Sequence, residues 1–305
     1  MFIGILTALT LIAFAANSLL CRMALGDGLI DPVTFTTLRL TSGAIILVPM
    51  ARFTAVPSSQ REGSWGSGLA LFVYAAAFSL AYLSLDAGIG ALILFGTVQA
   101  TMIGVGLRTG ERLHLLQWSG LFIALGGLAY LVSPGMTAPD PLGATLMSVS
   151  GTAWGIYSVR GKNVTDPVSA TAANFVRTVP LAAIASLIGF SLIHVQETGL
   201  ILAVVSGALT SGLGYVLWYR ALRGLTTTRA AILQLLVPVL AALGGVVFLA
   251  EQVSIRLAIA SVLILGGVAM AVLRSASSPE PMARPAHGAD SVGLSSQGES
   301  NGRPE

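Results

Sequence analysis

GALILFGTVQATMIGVGLRTGE, residues 90–111, and AAILQLLVPVLAALGGVVFLAE, residues 230–251, share one design. Each is an apolar run that closes on a lone carboxylate, Glu111 in the first and Glu251 in the second. Fifteen residues past each glutamate comes a glycine pair inside another apolar run, Gly126-Gly127 and Gly266-Gly267. At the same offset of 140 residues Ala91/Ala231, Gly104/Gly244, Leu125/Leu265, Ala129/Ala269 and Val132/Val272 are identical. An apolar helix, a carboxylate and a second apolar helix therefore recur once per half. Such an internal duplication in a membrane protein points to transport.

The composition requires a membrane. The chain is 54% apolar and 10% charged, with mean hydropathy +0.84, against about 25% charge in an ordinary soluble domain. It cannot cover a water-facing surface, so the lipid bilayer must be its solvent. The net charge is +3 and the basic residues lie mostly between apolar runs, which indicates basic cytoplasmic loops and no nucleic-acid partner. The single cysteine, Cys21, forbids an intramolecular disulfide and a cysteine-based metal cluster, and is read as an inert residue on an apolar face. Residues 1–20 are apolar without a positive start or a convincing cleavage site, which predicts a retained first helix.

A transmembrane helix needs about 20 mostly apolar residues. Segments near 2–21, 33–51, 66–84, 88–107, 117–133, 142–159, 169–190, 199–219, 229–248 and 255–273 qualify, separated by short breaks rich in charge, Pro or Gly. With the N-terminus cytoplasmic, the inner loops and final exit carry Arg52, Arg61, Arg108, Arg112, Arg160, Lys162, Arg220, Arg223, Arg229 and Arg274. The outer loops carry only Arg22 and Arg256. This bias places both termini in the cytoplasm. An odd number of helices per half means that the second copy enters from the opposite side. The expected fold is thus an all-α integral membrane protein of ten transmembrane helices. It comprises two inverted five-helix repeats, 1–134 and 141–274, and a disordered cytoplasmic tail, 275–305.

The front of each half also repeats. Asp31-Pro32-Val33 and Asp166-Pro167-Val168 each open a helix, and an arginine follows inside it, Arg39 or Arg177. Proline suits a first helical turn, where its missing N–H has no partner to lose.

These features together resemble the EamA-type family of the drug/metabolite transporter superfamily, over nearly the whole chain to about residue 273. The residues 238–251, PVLAALGGVVFLAE, look like the family's penultimate helix and following glutamate. The first half has VQATMIGVGLRTGE, with Val98 where Pro238 stands. The resemblance implies export of amino acids, other metabolites or drugs, and no particular substrate.

Charge inside a bilayer costs at least about 2.5 to 3.5 kcal/mol, which singles out the two arginines. Arg39 is roughly 10 Å into its helix and Arg177 roughly 13 Å, at 1.5 Å per residue. Facing a central cavity, their forked guanidinium groups would bind a carboxylate-bearing substrate. The structural alternatives are snorkelling or pairing with Asp31 or Asp27 for Arg39, and backbone carbonyls for Arg177. Asn17, Gln99, Asn174 and Gln234 need hydrogen-bond partners in lipid and would either orient the substrate or tie helices together. Trp154, Tyr157 and Tyr215 are deep enough to wall a pocket. Tyr82, Trp218 and Tyr219 lie near helix ends, where an interfacial belt is expected. Glu111 and Glu251 would cap helices or bridge to Arg112 or Arg256. The glycine pairs offer close-packing faces for the bundle's periphery or for a homodimer.

No carboxylate falls in a predicted helix core, so proton coupling would use Asp86 or another interfacial group, and facilitated or exchange transport stays open. HExxH, GxSxG and Walker patterns are missing, as are paired intramembrane carboxylates. No cofactor is implied, and an enzyme is not expected. The expectation is an inner-membrane secondary transporter exporting small polar metabolites or amino acids by alternating access. A drug exporter of the same fold is the alternative, ahead of a scaffold, a sensor or a membrane-embedded enzyme. As a substrate site, Arg39, Arg177, Asn174 and Gln234 would converge on one cavity.

Overall fold

The computed structural model describes residues 2–53, 63–108, 115–135, 138–161, 164–222, 233–234 and 236–273. Its helices are α1 (Phe2–Gly26), α2 (Pro32–Arg52), α3 (Trp65–Ala81), α4 (Ala87–Arg108), α5 (Leu115–Val132), α6 (Pro141–Gly161) and α7 (Pro167–Ile188). There follow α8, α9 (Leu236–Leu249) and α10 (Ile255–Leu273). Helix α8 has three parts: an α segment Glu197–Val205, a π-helical segment Ser206–Leu213 and an α segment Gly214–Leu222. Among the described residues no ladder of strands occurs; a single antiparallel bridge joins Ile30 to Val195. Glu111, Arg61, Arg112, Lys162, Arg223, Arg229, Arg274 and the tail 275–305 lie outside the described residues.

Five of these helices, α1, α2, α4, α7 and α8, are long and apolar enough to cross a membrane, and α3, α5, α9 and α10 contribute shorter apolar stretches. Helix α6 is rich in Gly, Ser and Thr and is held by packing instead. A Cβ on Gly151 would touch the Leu94 carbonyl of α4, and one on Gly155 would touch Thr101. Small residues four apart let two helix backbones approach closely, which is how membrane helices gain contact without a hydrophobic driving force. Large apolar side chains such as Ile12, Ile45, Phe122, Val247 and Val262 point outward, while Arg39, Asn17, Gln99, Asn174, Ser150, Ser206 and Ser211 are buried. An apolar exterior around a polar interior marks lipid as the surrounding solvent.

Polar contacts sort the loops onto two faces. On the first, the loop after α1 meets the loop after α7, where Asp31 donates its N–H to the His194 carbonyl at 2.9 Å and accepts the His194 N–H at 3.1 Å. Ser84 beside α4 donates to Asp140 beside α6, and Arg256 at the start of α10 donates to the Ser133 carbonyl after α5. On the second face, Arg160 at the end of α6 donates to Ser64 and Ser67 at the start of α3, and Tyr219 of α8 lies against Gly161.

The helices pack in related pairs. α2 lies on α7, α4 on α9 and α5 on α10; α3 with α6 is matched by α8 with α1, and α4 with α6 by α9 with α1. At the α5–α10 contact Gly127 meets Leu263 and Ile264, and Gly267 meets the Gly120 carbonyl and Ala124. Gly126 and Gly266 have nothing within 4 Å of a built Cβ and face away.

Both Asp-Pro elements are N-caps. Asp31 accepts the N–H groups of Val33 (3.1 Å) and Thr34 (2.9 Å), and Asp166 accepts that of Val168 (3.1 Å). An aspartate here satisfies donors that the first helical turn leaves free. Burial pushes the Asp31 carboxyl up, but the Thr34, His194 and Val33 hydrogen bonds together hold it below the usual carboxylate range. Asp31 is thereby committed to backbone donors and makes no ion pair with Arg39.

Two expectations change at helix ends. Tyr82 is 0% exposed and Trp218 5% exposed, so neither belongs to an interfacial belt. The turn leading into α4 covers Tyr82, whose hydroxyl donates to the Ala87 carbonyl, and Phe14 packs edge-on to Trp218 at 5.8 Å.

Candidate substrate site

The centre of the bundle is built around Arg39, which is only 1% exposed. Helix α2 carries it inward about two turns beyond the Asp31 cap, and the side chain runs between α3 and α8. Its Nε donates to Ser211 (3.0 Å), and its Nη2 donates to the Tyr74 hydroxyl (2.9 Å) and more distantly to that of Tyr215 (3.5 Å). The guanidinium lies 4.9 Å from the Phe78 ring centroid and 5.2 Å from that of Tyr74. Its Nη1 is buried without a hydrogen-bond partner among the described residues. No carboxylate pairs with it: the ion pairs among the described residues are Arg22–Asp86 and Arg22–Glu251. A desolvated charge left this way is costly.

The π-helical segment of α8 supplies the facing wall. It points Ser206, Thr210 and Ser211 at the Oδ1 of Asn17, at 2.8, 3.1 and 3.5 Å. Asn17 Nδ2 in turn donates to the Tyr74 hydroxyl (3.4 Å). The added residue of a π turn re-aims side chains, and such bulges gather at functional sites. Gly207 in the same segment lets α8 approach so closely that a Cβ there would collide with the Arg39 carbonyl and Ser42.

Aromatic rings complete the enclosure. Trp154 lies 4.9 Å from Tyr74, 4.7 Å from Tyr215 and 5.5 Å from Tyr157, centroid to centroid, and Phe14 stands edge-on to Trp154 and Tyr215. From Trp154 the polar groups continue toward the second face. The Tyr157 hydroxyl sits among Asn174, Thr171 and Tyr219 without a closed hydrogen bond. Asn174 accepts the Ser64 N–H (3.1 Å), and Arg177 folds back to donate to the Ala173 carbonyl (2.9 Å) beside Gly63.

Arg39, Asn17, Trp154 and Tyr215 thus form one cluster, with Tyr157 beside it. Arg177 and Asn174 lie near the second face, one step beyond Tyr157. Gln99 is 3% exposed with an unpartnered Nε2 and lines a small apolar cavity between α4 and α5. Gln234 is buried in the short stretch 233–234. Sequence reasoning passed over Tyr74, Phe78, Ser206, Thr210 and Ser211. The last three carry a signal, small hydroxyl residues spaced on one helix face within SGALTSGLGY (206–215), but nothing local foretells the π turn.

At the first face a second polar group ties three elements. Glu251 accepts the Ala87 N–H (2.8 Å) and lies 3.7 Å from Arg22 Nε, while Arg22 Nη2 meets Asp86 at 3.4 Å. The expected partner Arg256 is engaged elsewhere, with Ser133 and Pro134. Burial pushes the Glu251 carboxyl up, the Ala87 N–H opposes this, neighbouring Asp86 adds to it and Arg22 pulls it back in part. Ala250 holds φ at +52°, the left-handed region, to turn the chain from α9 into this contact.

The profile of the EamA-like transporter family matches residues 141–273. The chain belongs to this family. Among relatives of this EamA-like protein, an uncharacterised protein of Pseudomonas aeruginosa is 49% identical over 266 residues, 87% of this chain and 93% of that one. A protein of Escherichia coli named a "probable amino-acid metabolite efflux pump" is 23% identical, over 87% of this chain and 93% of the other. An uncharacterised transporter of Archaeoglobus fulgidus is 28% identical over 87% and 95%. A crystal structure with 22% sequence identity superposes with a TM-score of 0.61, over 90% of this chain and 99% of that one, which speaks to the fold alone.

Proposed function

We propose that this family member is a secondary transporter of the inner membrane that exports small carboxylate-bearing metabolites, amino acids among them, by alternating access. The observation that carries this reading is Arg39: a buried cation with no carboxylate partner and a free Nη1 among the described residues, set among hydroxyl and amide groups. A substrate carboxylate would take Nη1 and exchange with the tyrosine hydroxyls on Nη2, giving a bidentate pair. Asn17 and the π segment would orient the rest of the substrate against Trp154 and Tyr215. Tyr157, Asn174 and Arg177 would line the approach from the second face, with Gln99 of α4 and Gln234, which precedes α9, as further polar groups.

Two inverted five-helix halves, 1–134 and 141–274, fit the paired packing. The helix partners recur when each helix is exchanged for the one five places on, and the Asp-Pro caps of α2 and α7 lie at opposite faces. Equivalent halves can trade conformations to open one side and then the other. The second face, with Arg52, Arg108, Arg160 and Arg220 near it, would be cytoplasmic by the positive-inside bias. The name of the Escherichia coli relative favours small metabolites over large drugs.

The test is transport by the purified protein in liposomes, screening labelled metabolites with and without a pH gradient. Arg39→Ala is expected to reduce transport of the best substrate about tenfold or more, the loss of a charge-assisted hydrogen bond. Unchanged transport in that variant sinks the assignment.

A further inference from the structure

We propose that the Arg39 site selects ligands of net negative charge, a carboxylate on an apolar or aromatic body with no ammonium beside it. This rests on the reading of Arg39 as substrate anchor and narrows it, placing plain carboxylates ahead of the amino acids that the broader reading includes. Arg39 brings a full positive charge into the bundle centre, and each side chain touching its guanidinium is neutral: Ser211, Tyr74, Tyr215 and Phe78. The next shell of Asn17, Ser206 and Thr210 is neutral as well. The ion-paired carboxylates among the described residues, Asp86 and Glu251, are held by Arg22 at the first face.

A monocarboxylate neutralises Arg39 when it binds. A zwitterion carries its own ammonium into the same space, where Arg39 repels it and no carboxylate of the site receives it. A plain cation is repelled outright. In a buried site of low effective dielectric these differences are not screened away.

Aromatic faces are the other means of holding an ammonium. Here two of them, Phe78 and Tyr74, already lie against the Arg39 guanidinium. Tyr74, Trp154 and Tyr215 are in turn packed on one another. Tyr74, Phe78, Trp154 and Tyr215 are all buried, and what they offer a ligand that reaches Arg39 is apolar contact.

Three probes of one size decide the matter: 3-phenylpropanoate, phenylalanine and phenethylamine, which carry the carboxylate alone, both groups, and the ammonium alone. Their binding to the purified full-length protein in detergent at neutral pH is measured by titration calorimetry. The expected order is 3-phenylpropanoate about tenfold or more tighter than phenylalanine, with phenethylamine not bound. The wild-type comparison needs no variant to fold. Arg39→Gln is then expected to abolish propanoate binding. Phenylalanine binding as tightly as the propanoate overturns the charge selection while leaving a carboxylate anchor at Arg39 standing. Binding of none of the three overturns the aromatic-anion class. Propanoate binding that survives Arg39→Gln overturns this proposal and the parent reading together.

Discussion

Arg39 and Arg177 descend from one local design and end in different places. Each follows an aspartate N-cap and a proline at the head of α2 or α7. Arg39 continues to the bundle centre and binds the side chains of three other residues on α3 and α8. Arg177 turns back on its own helix, to the Ala173 carbonyl, and stays half-exposed near the second face. The two Asp-Pro caps are alike, yet one arginine is central and the other peripheral. The largest expected effect separates them. Arg39→Ala should reduce transport about tenfold or more, whereas Arg177→Ala should raise KM a few-fold with kcat retained, as expected for a charge that only steers ligand toward the site. Arg39→Met should also raise the melting temperature, because an apolar side chain of similar reach replaces an unpaired buried charge. Equal transport defects in the two alanine variants would erase the distinction.

The next contrast sets Gly207 against Gly126. A Cβ at Gly207 meets the Arg39 carbonyl and Ser42, while one at Gly126 meets nothing within 4 Å. Gly207→Ala must push α8 off α2 and disturb the π segment, and a destabilisation of about 1–3 kcal/mol is expected from such overpacking. Gly126→Ala should be neutral or slightly stabilising, since alanine is the better helix former. Thermal unfolding in detergent reads both; a Gly207→Ala protein as stable as wild type would mean that the close approach is not needed.

Much of this was legible in the sequence, for a physical reason. Apolar length reports directly on the bilayer, so the helices from α1 to α8 and α10 appear close to where hydropathy places them. The Asp-Pro caps were visible because capping is local chemistry. Residues whose roles depend on distant partners were not visible. Tyr82 and Trp218 occupy helix-end positions that suit an interfacial belt, yet a neighbouring turn and Phe14 bury them. Glu251 finds Arg22 of α1 instead of nearby Arg256. Asn17 was singled out as a polar residue in lipid, but its hydroxyl partners on α8 appear only when the π turn aligns them.

The Asp31 cap reaches beyond its own helix: it also accepts the His194 N–H and so joins the loop after α1 to the loop after α7. Asp31→Ala should therefore cost more than the typical ~1 kcal/mol of a lost N-cap. The sign with pH follows from the lowered Asp31 carboxyl: its contribution is present above the ordinary aspartate value and disappears as pH falls through the lowered one. The difference in melting temperature between wild type and Asp31→Ala should shrink on acidification; a constant gap would remove the carboxylate from the account.

Glu251 runs the other way, and the effect expected is the smallest. Burial raises its carboxyl above the ordinary value of 4.5, with Asp86 adding to the shift and Arg22 and the Ala87 N–H only partly offsetting it. The folded protein then binds this proton more tightly than the unfolded chain. Between the ordinary and the raised value, stability falls as pH rises, the reverse of the Asp31 slope. Glu251→Gln keeps an acceptor for the Ala87 N–H and removes the titration, so it should flatten this part of the stability profile while leaving the acid limb set by Asp31 intact. The same variant loosens Arg22, which retains Asp86, and so tests whether the first face is held by the charge of Glu251 or by its hydrogen bond. If melting curves of Glu251→Gln keep the wild-type slope above the ordinary glutamate value, then Glu251 is not the group that titrates there. If the slope vanishes and transport loses its response to a pH gradient as well, the carboxylate that couples protons sits at this first-face contact and not beside Arg39.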